Sequence, residues 1–381
     1  MRIMFLTPPV RTVRSATTLV IVASLWLSIL GNLALWKTLL DVPDLTGWHG
    51  VAFGVAFALI IACVVASLLS LFAWRFTLKP AISLLLLLTA FATHYMLMYG
   101  IVVDTPMLVN VLQTDTREAR DQLSWQLLGT VLGLAVLPLI WLWRQPMTRP
   151  PLMQQMLRNG GLFAGALILA FGTTQLVFQD FSSLMRNYTE MRYQINPLNS
   201  VYAVLDMTVI PAERPRGPMQ SLAGDARMAL HAGGTPKHPP LLVFVLGETA
   251  RSQSFSLNGY QRDTNPRLAL ENVTSFTHVT SCGTSTAESL PCMFSHLGRT
   301  EFAKRSNEFE NMLDVLQHAG YAVLWMDNQS GCKERCARVP YVNTSNLKVA
   351  EHCDGDECRD TVMLTQIDAA LAKLPAERPS N

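Results

Sequence analysis

Thr286 lies between two cysteines, in the run Cys282-Gly283-Thr284-Ser285-Thr286-Ala287-Glu288-Ser289-Leu290-Pro291-Cys292. A hydroxyl is a poor nucleophile at neutral pH and needs a base or a metal to lose its proton. Thr286, Ala287 and Glu288 read as the start of a helix, whose free amides favour a phosphate, and Gly283 permits unusual backbone angles just before it. A capping threonine in a stapled turn would look the same, and Thr284 and Ser285 are rival hydroxyls that spacing does not separate from Thr286. Glu248 directly follows the apolar run 241–246, where a carboxylate at a strand end suits a divalent cation. A helix cap or a salt bridge to Arg251 would use the same position. Lys333 sits inside the Cys332/Cys336 pair, where a tight loop would hold it to grip a phosphate. Arg335 and Arg338 add positive charge there, although an exposed surface lysine is the plainer reading.

These residues need a scaffold outside the cytoplasm. Six of the seven cysteines fall between Cys282 and Cys358 as three close pairs, a density that implies an oxidising compartment. Six cysteines allow about fifteen connectivities. Loop closure favours the nearest neighbours: Cys282–Cys292, Cys332–Cys336 and Cys353–Cys358.

The other half of the chain is apolar. Of 381 residues, 50% are hydrophobic and only 15% charged, and the depletion is concentrated before residue 179. Stretches 17–40, 51–74, 81–103, 123–143 and 161–178 are each long enough for a bilayer core of about 30 Å. Arg2, Arg11 and Arg14 precede the first stretch, Arg75 and Lys79 follow the second, and Arg144, Arg149 and Arg158 follow the fourth. The alternate loops are richer in acids, so the amino terminus is expected inside and everything after Phe178 outside. His94, within the third stretch, reads as a neutral histidine bonded to a neighbouring helix. The net charge of +2 supplies no argument for nucleic acid. A transporter would need polar residues along the spans, and these have almost none beyond Asn32 and His94.

The expected organisation is a transmembrane domain over 1–180 and a linker with an interfacial helix over 181–238. A partial catalytic α/β domain then occupies 239–381. Leu184, Tyr188, Met191 and Ile195 recur at near-helical spacing, and 217–240 is rich in Gly, Pro and Ala. Residues 241–246 predict a strand buried on both faces, with a helix beginning at Thr249. A helix over 307–320 and a second strand over 321–326 follow, the alternation of a parallel sheet.

Taken together these residues resemble the phosphoethanolamine transferases that modify lipid A, including the mobile colistin-resistance enzymes. The resemblance runs through the five spans and Gly247-Glu248-Thr249-Ala250-Arg251. It continues through Asn258-Gly259-Tyr260, Thr264-Asn265-Pro266, the stretch 281–295 and Asp327-Asn328-Gln329-Ser330-Gly331. It implies an outer domain of the alkaline phosphatase/sulfatase type with zinc, bound by Glu248 and Thr286, and Thr286 as the nucleophile. It also implies a phosphatidylethanolamine donor, a lipid A acceptor, a bacterial inner membrane with a periplasmic outer domain, and polymyxin resistance. Tyr99, Asn110, Thr114, Glu118, Ser330 and Lys333 would then face the lipid substrate, and Asn110, Thr114 and Glu118 share one helix face at their spacing.

Relative to that family, the outer domain has no Asp-His pair, and His278, His296, His318 and His352 stand in other contexts. The resemblance therefore implies a truncated, poorly metallated chain that is inactive alone. Other acceptors, such as a core sugar or a glycan, phosphoglycerol transfer, and a non-catalytic membrane protein are the alternatives.

Overall fold

Among the described residues of the computed structural model, five helical segments are long and apolar enough to cross a membrane: Ala16–Leu40, Gly47–Leu71, Leu78–Tyr99, Trp125–Arg144 and Leu152–Leu176. The structure describes residues 13–114, 119–120, 122–209, 217–227, 241–247, 249–329, 331–332, 335–354 and 357–374. The chain divides into two compact units, Met1–Ala212 and Glu213–Asn381.

In the first unit the spans pack through Leu19, Leu27, Phe53, Phe57, Ile61, Leu69, Leu78 and Ile82, all almost fully buried. The first span changes to a 3-10 turn at Leu30–Asn32 before resuming at Leu33. This break exposes backbone carbonyls, and side chains take them up. Thr93 Oγ1 donates to the Gly31 carbonyl at 2.8 Å. Asn32 Nδ2 donates to the carbonyls of Leu27 at 2.9 Å and Asn196 at 2.8 Å, and its Oδ1 accepts from the Asn196 amide at 2.8 Å. An unpaired polar group in an apolar interior is costly, so this closed set fixes the segment after the fifth span against the first.

That segment forms the helices Phe178–Asn187, Thr189–Tyr193 and Leu198–Val209. The expected single repeat is interrupted at Tyr188, whose backbone leaves the helical region at φ −118° and ψ 65°. Leu184 and Met191 nevertheless both bury in the core of the spans. From the last helix, Asn199 Nδ2 donates to the Val103 carbonyl at 2.7 Å, and Asp206 Oδ2 accepts from Thr105 Oγ1 at 2.6 Å. The short helix Thr105–Gln113 is thereby tied at its start to Leu198–Val209, and Asp104 caps it through the Met107 amide at 2.9 Å. Replacing Asn32 by Ala removes three buried hydrogen bonds at once. It should loosen this clamp by about 2 kcal/mol, read as faster hydrogen exchange across 195–209 with little change in the spans.

The second unit carries short paired strands: β1 Gly217–Gln220, β2 Asn307–Phe309, β3 Trp325–Asp327, β4 Tyr341–Asn343, β5 Cys353–Asp354 and β6 Glu357–Cys358. β1 pairs with β2 in parallel, β3 with β4 in parallel, and β5 with β6 antiparallel. Helix Met312–His318 connects β2 to β3, and its first turn carries a capping box between Asn311 and Asp314. The expected helix over 307–320 is therefore a strand followed by a shorter helix.

The larger correction concerns 241–246. These residues form no strand, and Leu241, Leu242, Val243, Phe244 and Val245 are largely exposed. A strand buried on both faces needs a hydrogen-bonded neighbour on each side. Among the described residues none pairs with this run, and only its end touches the core, through Leu246 and the Phe244 ring. The helix expected from Thr249 is likewise absent; Thr249 has φ +52°, and a 3-10 turn, Ser252–Ser254, follows.

Candidate functional site

Thr286 is the first residue of the helix Thr286–Met293, with Ser285 as its extended N-cap. The helix is anchored from below. Leu290, Cys292 and Phe294 are buried, and Leu290 and Phe294 pack with Leu313, Cys332, Cys336 and Val339 beside Trp325. The Phe294 ring lies 5.6 Å from Trp325, and the Phe294 carbonyl accepts from the Met312 amide at 2.9 Å. A disulfide joins Cys292, near the helix end, to Cys282, before its start, with Cα atoms 6.3 Å apart. Disulfides also join Cys332 to Cys336 and Cys353 to Cys358, and Cys63 is a buried free thiol.

A Cβ at Gly283 would overlap the carboxylate of Glu288. Ser281 Oγ meanwhile bridges the turn, donating to the Gly283 carbonyl at 2.7 Å and accepting from its amide at 3.3 Å. Thr286 is half-buried in the first turn of the helix, the end that carries unpaired amides. A staple and a buried helix end therefore fix Thr286 at the positive end of a helix, beside the hydroxyl residues Thr284 and Ser285 of the same turn. Opening the staple with the Cys282→Ser, Cys292→Ser pair releases a loop of separation 10. The loss should be about 2–3 kcal/mol, read as a lower midpoint in denaturation of the outer unit.

Strand β3 ends at Asp327, which is buried and heavily bonded. Its Oδ2 accepts from the Tyr341 hydroxyl at 3.1 Å, and its Oδ1 from the Gln329 amide at 3.1 Å. Burial, followed by the neighbouring Asp327 charge, pushes the Tyr341 hydroxyl above the usual tyrosine range. Asn328 Nδ2 donates to the Cys358 carbonyl at 2.9 Å and to Asp360 Oδ1 at 3.1 Å. Asp327 and Asn328 thus lock a strand end to β4 and to the β5–β6 hairpin.

Asp314 is a further missed residue. Its carboxylate takes two bonds from the Arg338 guanidinium and one from the Asn311 amide at 2.7 Å. Burial pushes the Asp314 carboxyl up, but the Arg338 and Asn311 bonds outweigh it and hold it below the usual carboxylate range. Arg338, read from sequence as local positive charge, is thus committed to structure.

The proposed lipid-facing residues of the first unit are only partly gathered. Tyr99 ends the third span, 57% exposed, stacked on Tyr95 at 5.8 Å. Asn110 lies on the helix Thr105–Gln113, but Thr114 is its C-cap with extended angles, and Thr114 Oγ1 donates to the Asn110 carbonyl at 2.8 Å. The helix therefore does not carry Thr114 onward on the expected face. Glu118, Glu248, Ser330 and Lys333 lie outside the described residues. A zinc site takes about four ligands, three or more of them from protein. Among the described residues no three His, Cys, Asp or Glu side chains converge, so these residues do not make up a zinc site.

The first unit carries candidate membrane spans and the second a stapled threonine helix. Residues 240–380 match the family model described as Sulfatase, and residues 61–210 the one described as Phosphoethanolamine transferase EptA/EptB. The chain belongs to the phosphoethanolamine transferase family. It is similar to Phosphoethanolamine transferase EptA of Escherichia coli (strain K12), 31% identical over 373 residues, covering 94% of this chain and 65% of that protein. It is also similar to Phosphatidylethanolamine transferase Mcr-1 of Escherichia coli, 36% identical over 79% of this chain and 57% of that protein. The solved integral membrane lipooligosaccharide phosphoethanolamine transferase A of Neisseria meningitidis superposes with a TM-score of 0.86 at 30% identity, over 95% of this chain and 67% of its own. The chain thus spans just under two thirds of the length of the first of these curated relatives.

Proposed function

We propose that this chain transfers phosphoethanolamine from phosphatidylethanolamine to a phosphate of lipid A, with Thr286 as the intermediate acceptor. The reading is carried by one observation: a threonine at the first position of a helix stapled by the Cys282–Cys292 disulfide, in a chain of this family. In the first step the Thr286 Oγ–P bond forms as the P–O bond to diacylglycerol breaks, and the threonine proton ends on the diacylglycerol oxygen. In the second, the Thr286 Oγ–P bond breaks as an oxygen of a lipid A phosphate bonds to the phosphorus, and the proton of that phosphate's hydroxyl passes to Thr286 Oγ. The helix amides offset charge gathering on the phosphoryl oxygens in both steps.

Glu248 and Thr286 remain the two proposed zinc contacts. They fall short of a full ligand set, and no step is routed through the metal. Tyr99, Asn110, Thr114, Glu118, Ser330 and Lys333 are proposed to face the lipid substrates. The loop charges support an inner-membrane chain with its amino terminus in the cytoplasm and the outer unit in the periplasm. A five-span anchor suits a donor that stays in the bilayer.

Mass spectrometry of lipid A from cells expressing the chain tests this reading. This reading expects a phosphoethanolamine adduct on lipid A, which would overturn the inactivity that the missing Asp-His pair implies. Adducts confined to core sugars would move the acceptor, and none at all would remove the activity.

A further inference from the structure

The segment after Gly247 is tied to itself by side-chain bonds. Thr264 Oγ1 donates to the Ser254 carbonyl at 2.6 Å and accepts from the Ser256 amide at 3.0 Å. Asn258 Nδ2 donates to Ser252 Oγ at 2.8 Å, and its Oδ1 accepts from Ser275 Oγ at 2.6 Å. Gly259 turns the chain at φ +98°, a conformation that strains any side chain, and the Tyr260 amide closes the turn on the Phe255 carbonyl at 3.1 Å. An open surface cavity of about 500 Å³ lies on this turn, lined by Gln253, Asn258, Gly259, Tyr260, Gln261 and Arg262, all but Asn258 exposed.

The lining divides by chemistry. Asn258 is spent on the loop itself and serves as wall. Tyr260 is 39% exposed, and among the described residues the side chains of Tyr260, Gln261 and Arg262 have no hydrogen-bond or ion-pair partner. Gln253 accepts from Arg251 Nε through its oxygen, which orients its amide and leaves the nitrogen to donate. The rim therefore offers one aromatic face, two amides and one guanidinium on a turn already held in shape.

We propose that this cavity binds a phosphorylated sugar. The Tyr260 ring takes the apolar face of a pyranose, Gln253 and Gln261 take its hydroxyls, and Arg262 takes the phosphate through paired N–H bonds. The proposal rests on the phosphoethanolamine-transfer reading for its biological meaning: the cavity would be the subsite for the acceptor head. The donor headgroup fits less well, because its ammonium would need an acidic partner and none of the six lining residues is acidic.

Binding is measured by ligand-observed NMR on the purified full chain in detergent, with glucosamine 1-phosphate, glucosamine, inorganic phosphate and phosphorylethanolamine as probes. Glucosamine 1-phosphate should bind at least tenfold more tightly than the other three. Arg262→Gln should weaken it about tenfold and Tyr260→Ala about fivefold. Both positions are exposed, so the fold is expected to persist. Equal binding of inorganic phosphate or phosphorylethanolamine would overturn the sugar assignment, and so would affinity that neither substitution changes. The two readings fail separately. Arg262-dependent sugar-phosphate binding without any transfer would sink only the transferase reading. Transfer with no such binding would sink only this subsite.

Discussion

Replacing Thr286 by alanine should abolish transfer, by at least a thousandfold, while leaving the fold in place. The magnitude follows from the role: without the oxygen no covalent intermediate forms, and removing a nucleophile costs about 10⁴–10⁶ in comparable enzymes. The fold should survive because Thr286 is only half-buried and starts the helix. Leu290, Phe294 and the Cys282–Cys292 bond hold that helix independently of the hydroxyl. Thr286→Ser supplies the control, since it keeps an oxygen at the same point and should retain measurable transfer. The check is initial rate with a fluorescent phosphatidylethanolamine, alongside a denaturation midpoint within about 0.5 kcal/mol of the parent. Full transfer by the alanine variant would move the chemistry to Thr284 or Ser285, which adjoin Thr286 in the same turn.

Asp314→Ala should cost the second unit about as much stability as opening the Cys282–Cys292 staple. The carboxylate is 5% exposed, satisfies Arg338 with two bonds and closes the capping box on the Asn311 amide. Breaking a fully buried pair costs about 3–5 kcal/mol. Arg338 keeps 35% of its side chain in solvent, so some of its charge is rehydrated and about 2–3 kcal/mol is expected here. The pH dependence has a definite sign. A carboxyl held below its usual range binds its proton less readily when folded. Its stabilisation is therefore complete above the ordinary carboxylate range and is lost as pH falls through the lower folded value. Glu310 acts in the same direction, held down by the Leu222 amide bond first and then by His318. Protection of the helix Met312–His318 against hydrogen exchange, taken relative to the intrinsic base-catalysed rate, should fall as the pH falls in the parent. That acid dependence should flatten in the Asp314→Ala variant.

The spans were legible because hydropathy is a property of contiguous residues, and all five appear near the expected places. The threonine helix was legible for a related reason: its staple, its glycine and its first turn lie within eleven residues of sequence, from Cys282 to Cys292. What escaped depends on partners far along the chain. Asn32 meets Asn196 across 164 residues, and Asp314 meets Arg338 across 24. No periodicity announces either pair. The run 241–246 failed for the complementary reason. Its composition describes a buried strand, but burial depends on neighbours that the run does not itself encode. Thr114 shows the same limit at small scale, because regular spacing assumes a helix that in fact stops at Gln113.

Intact-protein and peptide mass spectrometry of the purified full chain, after incubation with phosphatidylethanolamine and no acceptor, tests the central claim most directly. The account predicts one phosphoethanolamine group on the peptide holding Thr286, absent in the Thr286→Ala variant and discharged when lipid A is added. A group on another residue, or transfer to lipid A that proceeds with Thr286 never modified, would contradict it.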